Sequence, residues 1–386
     1  MLSPRAPTAH VLTYAQTLNG GGVEHALLRL MRGWVELGRR VTFVVGDASG
    51  PLAAEIPPEV ETIELGDARY LGMICVAEIA EQICPDLIFC PGNHYTAVAG
   101  WIRVRLGADC PPLVAKVSNA LDRHDQGWPL APAYRVWLNW HRYFVDHLVA
   151  MTPAMRDEAI RTTGVRSSQM SVIANPPVRR AGNVLPSPVP DGRFLLGVGR
   201  LVPQKRWDRL IASFARIADP DTKLMILGEG AERGTLEAQV AALGLTGRVT
   251  MPGHVADPTF AIERAAALAL TSDFEGVPGV LREALAVGTP VVSTDSSVAV
   301  REIVASPAFG TVVDPADSAG LVAALDHWLA PQRARPAPVA QPGADSAAAY
   351  LDLFDQLVLA RRVRRQAPFR LRRALQLVPS YVPAQP

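Results

Sequence analysis

Two glutamates in the second half of the chain form the pattern with the clearest chemical meaning. Glu275 and Glu283 are separated by seven residues, after the apolar run 267–270 and into a helical pattern. A carboxylate can accept two directional hydrogen bonds from neighbouring hydroxyls, as on a ribose or a hexose. Backbone N–H groups of the turn, together with the positive helix end, suit a diphosphate. Helix capping by Glu283 is the alternative, but the pair in this setting favours a binding site.

Three consecutive glycines, Gly20, Gly21 and Gly22, join the first predicted strand to the first predicted helix. Because glycine has no Cβ, the backbone can approach a ligand closely there, and the helix N-terminus behind it adds positive potential. The run lacks the spacing of the dinucleotide fingerprint, which argues against a Rossmann oxidoreductase. The glycines therefore predict either a ligand loop or a tight turn.

The segment around the two glutamates resembles the signature of a known enzyme family. Residues 272–295 read SDFEGVPGVLREALAVGTPVVSTD, so the run EG-x-P-x-V-L-x-EA-x-A-x-G-x-PVV-x-TD is nearly complete. This run is similar to that of the retaining GT-B glycosyltransferases of group 1, or family 4. The resemblance implies an α/β fold of GT-B type, with two doubly wound Rossmann-like domains facing a cleft. It also implies a nucleoside diphosphate sugar as donor, no cofactor, no metal, and retained anomeric configuration.

The resemblance further implies roles for individual residues. Glu275 would orient hydroxyls of the donor sugar, and Glu283 would hold the ribose. Arg200 and Lys205 lie five residues apart in GVGRLVPQK and would stabilise the departing diphosphate, since a guanidinium and an ammonium can replace a metal there. A solvated surface pair is the alternative for these two. The other implied donor-binding residues are Gly21, Gly22, Gly276, Val277, Pro278, Gly279, Val280, His254 and Val255.

One position departs from the family pattern. Many members carry a histidine or another polar side chain at the end of the strand that here reads LVAKVSNALDRHD, where Ser118 and Asn119 stand. His94 and His124 are nearby in sequence and could contact the sugar or acceptor instead. These four are the predicted cleft residues, and a structural or surface role is the alternative for each histidine.

Short apolar, β-branched runs alternate with helical patterns, which predicts parallel sheets covered by helices. A helix is predicted over 24–37, closed by Gly38. In the first half, strands are predicted at 10–14, 41–45, 61–65, 87–89, 113–117, 147–150 and 171–174.

The proline-rich segment between the two halves of the chain predicts a domain boundary. We expect an acceptor-side Rossmann-like domain over 1–180, a linker over 181–192, and a nucleotide-sugar domain over 193–345. A C-terminal helix and basic tail occupy 346–386. The helix, expected over 346–363, carries an apolar stripe and must pack on one of the two domains.

The composition excludes several classes of protein. The chain has 386 residues, 49% of them hydrophobic, which suffices for two cores and excludes disordered and fibrous proteins. Four cysteines at no zinc-binding spacing predict free thiols in a reducing compartment. No signal-peptide pattern and no run of about 20 apolar residues is visible, so we expect a cytoplasmic protein.

The charge is unevenly distributed along the chain. The net charge of +1 argues against a nucleic-acid binder. The 26 residues after Ala360 contain seven arginines and no acid, so residues 1–360 carry −6 and the tail carries +7. The tail predicts contact with an anionic membrane surface, at the inner face of the membrane. A solvated tail and RNA binding are the alternatives.

An aromatic cluster in 131–147 has two interpretations. Trp137, Trp140, Tyr143 and Phe144 recur at helical spacing, which favours packing in the core. A surface that faces a membrane or a lipid acceptor is the alternative.

These patterns together predict an enzyme. We expect a glycosyltransferase that moves a hexose from a nucleoside diphosphate sugar to a hydroxyl on a glycan or lipid-linked acceptor. The alternative is a regulatory or partner subunit that binds the nucleotide sugar without transferring it, and the Ser118–Asn119 departure is its only support.

Overall fold

The computed structural model describes residues 6–121, 130–178, 189–255 and 257–366. They divide into two compact units. The first unit contains the chain up to Pro176 together with the chain from Pro342 onward, and the second contains the chain from Pro177 to Gln341. The predicted linker lies largely outside the described residues. Val189, at its described end, packs against the core of the second unit.

Seven strands of the first unit form one sheet in which all neighbours are parallel. They are β1 (His10–Thr17), β2 (Arg40–Asp47), β3 (Glu61–Glu64), β4 (Leu87–Cys90), β5 (Leu113–Lys116), β6 (His147–Ala150) and β7 (Met170–Val172). Their order is β3-β2-β1-β4-β5-β6-β7. Every strand predicted in this half of the chain is present, with ends that differ by three residues or fewer.

Helices connect these strands in the manner of a doubly wound fold. The α-helices are α1 (Gly22–Glu36), α2 (Val76–Ile83), α3 (Thr96–Leu106), α4 (Leu130–Phe144) and α5 (Pro153–Thr163). Short 3-10 helices occupy Ala53–Glu55, Tyr70–Cys75, Asn93–Tyr95, Gly107–Asp109 and Ser167–Gln169. Helix α1 buries Leu27, Leu30 and Trp34 on one face, as its 3.6-residue period predicts. Gly38 follows it with a φ of +80°, which glycine adopts without strain.

The aromatic cluster of α4 does not lie wholly in the core. Phe144 is buried, and the ring of Trp137 stacks on it at 5.4 Å. Trp140 and Tyr143, by contrast, are exposed. The prediction of core packing is therefore wrong for these two residues, because they lie on the side of α4 opposite the buried Leu138 and His141.

The second unit contains a six-stranded parallel sheet between two layers of helices. Its strands are β8 (Phe194–Val198), β9 (Lys223–Leu227), β10 (Val249–Gly253), β11 (Ala267–Leu270), β12 (Val291–Thr294) and β13 (Gly310–Val313), in the order β10-β9-β8-β11-β12-β13. Its helices are the 3-10 helix Pro203–Lys205 and α6 (Trp207–Phe214), α7 (Arg233–Ala242), α8 (Thr259–Arg264), α9 (Gly279–Ala286), α10 (Val298–Ile303) and α11 (Ser318–Leu329).

The last helix, α12 (Ser346–Gln366), belongs to the first unit. It packs on α1 and on the sheet, with Phe354 and Tyr350 edge-on to the Trp34 ring at 5.4 and 6.1 Å. A Cβ added to Gly33 would lie 2.5 Å from that of Ala347, so the two helices approach closely. The stripe that the sequence predicts thus covers the core of the first unit.

Each sheet has one point at which successive strands are added on opposite sides. This switch lies between β1 and β4 in the first unit and between β8 and β11 in the second. In open α/β sheets, ligands bind beyond the carboxyl ends of the strands at such a point. The loops that follow these four strands are therefore where a functional site is expected.

Candidate functional site

A charged pair lies at the switch point of the second unit. The Lys205 Nζ is 2.5 Å from the Glu275 Oε1, and the side chains are only 16% and 10% exposed. Ser272, which is fully buried, donates from its Oγ to the same carboxylate oxygen at 2.6 Å. Lys205 follows β8 and Glu275 follows β11, so the two loops at the switch point meet at this pair. Oε1 thus has two donors, and they fix the direction of the carboxylate.

Hydrogen bonds hold these two loops together beneath the pair. The Thr271 Oγ1 donates to the backbone carbonyls of Lys205 and Arg206, at 3.2 and 2.9 Å. Arg206 has a left-handed backbone, with a φ of +49°. Its guanidinium bridges Asp208 on α6 and Asp273 on the opposite loop. The position of Lys205 is therefore set by contacts of its neighbours.

Arg200 lies in the same loop, with an exposed side chain. Its carbonyl accepts a hydrogen bond from the buried Trp207 indole at 2.9 Å, which fixes the backbone from which the guanidinium extends. The aliphatic stem of Lys205 passes beside Gly199, 3.4 Å from where a Cβ would stand. The Lys205 stem therefore lies beside Gly199, the residue that precedes Arg200 in the same loop.

The loop after β9, which reads LGEG, packs its backbone directly on the Arg200 loop. A Cβ on Gly228 would lie 2.0 Å from the Gly199 carbonyl oxygen, and one on Gly230 would lie 2.2 Å from that of Leu201. The Leu201 N–H donates to the Glu229 carbonyl at 2.8 Å. A side chain at either position would clash with this backbone, which explains why Gly228 and Gly230 are glycines.

The predicted turn from Gly276 to Val280 leads into α9, which begins at Gly279. The Ser297 Oγ donates to the Gly276 carbonyl at 2.7 Å and anchors the turn. Val277 is half-buried, and Pro278 is buried. Glu283 is half-buried, and its Oε1 lies 3.5 Å from the Cβ position of Gly279. The Glu283 carboxylate therefore lies beside the first turn of its own helix.

His254 and Val255 follow β10 at the same edge of the sheet. The His254 side chain is exposed, whereas Val255 packs against the core. The Gly253 carbonyl accepts from the Gly228 N–H at 2.8 Å, which joins this loop to the LGEG loop. The Arg233 guanidinium is the main cause of a lowered pKa at the Glu229 carboxyl, and His254 adds to the effect.

At the switch point of the first unit, the glycine loop begins α1. Gly20 has a φ of +89°, Gly21 caps the helix, and Gly22 is its first residue. A Cβ on Gly21 would lie 2.3 Å from the Glu24 Oε2, so the glutamate folds back into the space that glycine leaves. Part of that space is thus filled by the chain itself.

Ser118 and Asn119 take part in a link between two loops. Ser118 and Asn93 exchange hydrogen bonds: the Asn93 N–H donates to the Ser118 Oγ at 3.1 Å, and the Ser118 N–H to the Asn93 Oδ1 at 2.8 Å. The Asn93 Nδ2 donates to the Asn119 carbonyl at 3.0 Å. His94 contacts the Gln16 Oε1 at 3.1 Å, and burial lowers its pKa. His124 lies outside the described residues.

Sequence analysis did not single out Lys116, the last residue of β5. This lysine is 1% exposed, and its Nζ donates to the Asn175 Oδ1 at 3.2 Å. Burial lowers the pKa of Lys116 to about 8, although the Glu24 carboxylate opposes the shift. A lysine within the apolar run LVAKV was the available signal, since a lysine is seldom fully buried without a partner.

The fold and the second-unit site together define a class of protein. The chain has two doubly wound domains, and the second carries a lysine–carboxylate pair beside exposed backbone loops at its switch point. This arrangement is suited to binding a phosphorylated sugar. Residues 186–340 match the family described as glycosyl transferases group 1, and residues 21–176 match the glycosyl transferase 4-like domain.

Similarity to individual proteins agrees with these matches. The chain is 31% identical over 279 residues to the lipopolysaccharide 1,6-galactosyltransferase of Escherichia coli, covering 69% of this chain and 72% of that protein. The chain therefore belongs to the group 1 glycosyltransferases, and it is a glycosyltransferase. It is also 34% identical over 145 residues to a diphospho-undecaprenol 4-alpha-N-acetylgalactosaminyltransferase of Campylobacter jejuni, covering 38% of this chain and 40% of that protein.

Solved structures show the same fold. The Anabaena HepE structure in complex with UDP-glucose superposes with a TM-score of 0.67 at 20% identity, covering 92% of this chain and 97% of that chain. The chain thus has two Rossmann-like domains of the GT-B type, as predicted from the sequence.

Proposed function

We propose that this glycosyltransferase moves a hexose from a UDP-sugar to a hydroxyl on a glycan or lipid-linked acceptor, with retention of configuration and without a metal. The observation that carries the proposal is the Lys205–Glu275 pair, mostly shielded from solvent, with its Ser272 donor. The HepE complex with UDP-glucose and the galactosyltransferase relative support a UDP-hexose, and UDP-galactose is the first candidate.

In the proposed reaction, the cations act on the leaving group. The bond between the anomeric carbon and the diphosphate oxygen breaks, and negative charge grows on that oxygen. Arg200 offers a planar fork of donors, and Lys205 a compact ammonium, so both stabilise this charge. Because the loops are held by Thr271 and Trp207, the cations need little rearrangement when the charge develops.

The two glutamates orient the donor. Ser272 and Lys205 occupy the Glu275 Oε1, so the Oε2 is the oxygen that we assign to a sugar hydroxyl. Glu283 is assigned to the ribose, beside the first turn of α9, where helix N–H groups favour a phosphate. The other predicted donor contacts, from Gly276 to Val280 and at His254 and Val255, surround the same edge.

Retention follows in this proposal without a protein nucleophile. The acceptor oxygen forms its bond to the anomeric carbon on the face from which the diphosphate departs. The acceptor proton passes to the departing phosphate oxygen, so that charge and protons balance. No side chain forms a covalent intermediate, so no cofactor is needed for the transfer.

The acceptor side is assigned to the first unit. The candidates are His94, in the loop after β4, and Ser118 and Asn119, in the loop after β5. Relatives named for lipopolysaccharide and for diphospho-undecaprenol substrates support an acceptor that is a glycan or is carried on a lipid. A cytoplasmic enzyme at the inner membrane face, held in part by the arginine-rich tail, is consistent with such an acceptor.

The test is transfer from a panel of nucleotide sugars, with products identified by mass spectrometry and the anomeric configuration read by NMR. We expect transfer from a UDP-hexose with retention, in the presence of a metal chelator. Glu275→Gln should lower transfer strongly, whereas Glu237→Gln on the exposed face of α7 should not. Inversion, or full activity of Glu275→Gln, would refute the proposed mechanism.

Calorimetry separates transfer from binding alone. A subunit that only binds the nucleotide sugar would bind UDP-galactose and give no product with any acceptor tested. The intact lysine–glutamate pair favours transfer, because binding alone does not require a stabilised leaving group. Donor binding without turnover would establish the alternative.

A further inference from the structure

The exposed aromatic side chains of the described residues are concentrated on two neighbouring helices. Trp101 on α3 is 44% exposed, and Trp140 and Tyr143 on α4 are 57% and 70% exposed. Val104 at 73% and Val136 at 56% complete the set. We call these five residues the α3–α4 face. Phe260, in the second unit, is the one other exposed aromatic among the described residues.

The two helices form one surface. A Cβ on Gly100 would lie 3.5 Å from the Trp137 ring and 3.8 Å from the Phe144 ring, so α3 and α4 pack closely around this glycine. Exposed Leu71 and Ile74 lie on a 3-10 helix that also contacts α3. Exposed apolar side chains that are concentrated in this way indicate an interaction site.

The charged side chains that α3 and α4 themselves contribute have one sign. Helices α3 and α4 carry Arg103, Arg105, Arg135 and Arg142 and contain no aspartate or glutamate. Arg135 and Arg142 are exposed, and the Arg142 guanidinium lies 4.9 Å from the centre of the Tyr143 ring and donates to its hydroxyl at 2.9 Å. Nearby acids belong to other elements: Asp146 pairs with Arg103, and Glu81 on α2 pairs with Arg105.

Further arginines adjoin the end of α3. Arg361 on α12 donates to the backbone carbonyls of residues 108, 109 and 110, in the turn that directly follows α3. Arg365 donates to the Ala108 carbonyl of the same turn and pairs with the exposed Asp109. The end of α12 therefore lies at the C-terminal end of α3.

We propose that the α3–α4 face docks on a bilayer surface that contains anionic lipid. Tryptophan and tyrosine prefer the headgroup region, where the ring is apolar and its N–H or O–H stays hydrated. Arginines around them contact lipid phosphates, which gives the complementary charge. Among the residues that the structure describes, no helix is long and apolar enough to cross a membrane. The proposal does not depend on the donor chemistry proposed above.

Vesicle binding of the full-length protein tests the apolar contribution. The probe is vesicles of phosphatidylcholine and phosphatidylglycerol, compared with phosphatidylcholine alone. The double variant Trp140→Gln, Tyr143→Gln should bind the mixed vesicles about tenfold less tightly, because two interfacial rings are lost. The matched control is Leu243→Gln, Phe260→Gln, which removes two exposed apolar side chains of the second unit and should bind like wild type.

The arginines are tested in the same way. Arg135→Gln and Arg142→Gln should each weaken binding to the mixed vesicles about fivefold, with no change for phosphatidylcholine alone. Arg301→Gln, in the second unit, is the control. Replacing Arg370, Arg372 and Arg373 by glutamine measures the tail separately, so loss in that variant alone would assign binding to the tail and overturn the proposal.

Fluorescence quenching reports depth. In a Trp128→Phe background, doxyl-labelled lipid in the mixed vesicles should quench tryptophan fluorescence. The further variant Trp101→Phe, Trp140→Phe should be quenched much less, because Trp34, Trp207 and Trp328 are buried and Trp137 is half-buried. Equal quenching, or equal vesicle binding by the Trp140–Tyr143 variant and its control, would overturn the proposal. Sedimentation velocity gives the remaining outcome. A wild-type dimer that this variant abolishes, without vesicle binding, would assign the face to a second copy of the chain.

Discussion

Each unit carries a lysine near the carboxyl ends of its strands, yet the two lysines are held in opposite ways. Only three lysines occur in the chain, and two of them lie there: Lys205 in the loop after β8, and Lys116 as the last residue of β5. In the second unit, Lys205 pairs with the Glu275 carboxylate at a partly exposed edge. In the first unit, Lys116 is fully buried and donates to the neutral Asn175 amide. One ammonium is thus balanced by a charge, and the other is held mainly by an uncharged group.

This difference indicates which lysine contributes to activity and which to stability. The Lys205 ammonium lies near solvent at the edge where a phosphate would bind, so it can act on a phosphate that develops negative charge. A buried ammonium with an amide partner loses stabilisation, and its pKa falls to about 8. Lys205 is therefore expected to govern activity, whereas Lys116 is expected to govern stability.

The largest effect is expected from Lys205→Met. Loss of the ammonium should lower kcat/KM for transfer about a hundredfold, because one electrophilic contact to the leaving group is removed. Circular dichroism should show an intact fold. Lys223→Met is the matched control, since Lys223 begins β9 and so lies at the amino ends of the strands of the same sheet, away from the site. Wild-type activity of Lys205→Met would remove the contrast between the two lysines.

Lys116→Met is expected to stabilise the protein. Because the folded pKa of about 8 lies below the usual 10.5, the burial penalty is fully present below pH 8. Between these values the unfolded chain binds more protons, so stability of the wild type rises with pH. The variant should therefore be more stable by about 3 kcal/mol at pH 7, and the gain should shrink toward pH 10. Denaturant unfolding across this range measures it, and a gain independent of pH would contradict the assignment.

Ser272→Ala should lower kcat/KM about tenfold, because a hydrogen bond to a charged carboxylate is lost and Glu275 is held less firmly. Ser272→Thr retains the hydroxyl and should restore activity. Ser293→Ala removes another buried hydroxyl, on β12, and controls for packing. If Ser272→Ala and Ser293→Ala behave alike in transfer, Ser272 does not position Glu275.

The smallest effect is expected from Ser118→Ala. The Asn93 N–H loses its acceptor, which should lower the free energy of unfolding by about 1 kcal/mol. Acceptor KM distinguishes a structural role from contact with the sugar. An unchanged KM, together with the stability loss, would place Ser118 in the scaffold of the first edge. A raised KM at wild-type stability would place it in contact with the acceptor.

The second-unit site could be predicted from the sequence because its parts are contiguous. Glu275 and the α9 turn lie within one run, and Lys205 ends a second short run. Ser272 lies in the first run but was not singled out. The first-unit edge could not be predicted in the same way. Lys116 meets Asn175 59 positions later, and Ser118 meets Asn93 25 positions earlier. Such pairings depend on which strands become neighbours in the sheet, and a local sequence pattern does not predict the order of the strands.

Hydrophobic periodicity predicted the positions of helices and strands better than it predicted which of their faces are buried. The strand over His147–Ala150 coincides with its prediction, and α1 begins two residues before the predicted start. The outward face of α4 was only the alternative to core packing, because apolar residues occur on both sides of this helix. A hydrophobic period identifies a helix but cannot choose the buried side when both sides are apolar.

The return of α12 to the first unit has a consequence for the order in which the protein folds during synthesis. Trp34 and Phe89 are covered by Tyr350 and Phe354, which leave the ribosome only after the whole second unit has been made. Domains generally fold as they emerge, N-terminal first. Here the second unit can complete its core while the first still exposes an aromatic surface. The nascent first unit is therefore the part that needs protection from aggregation until the chain ends.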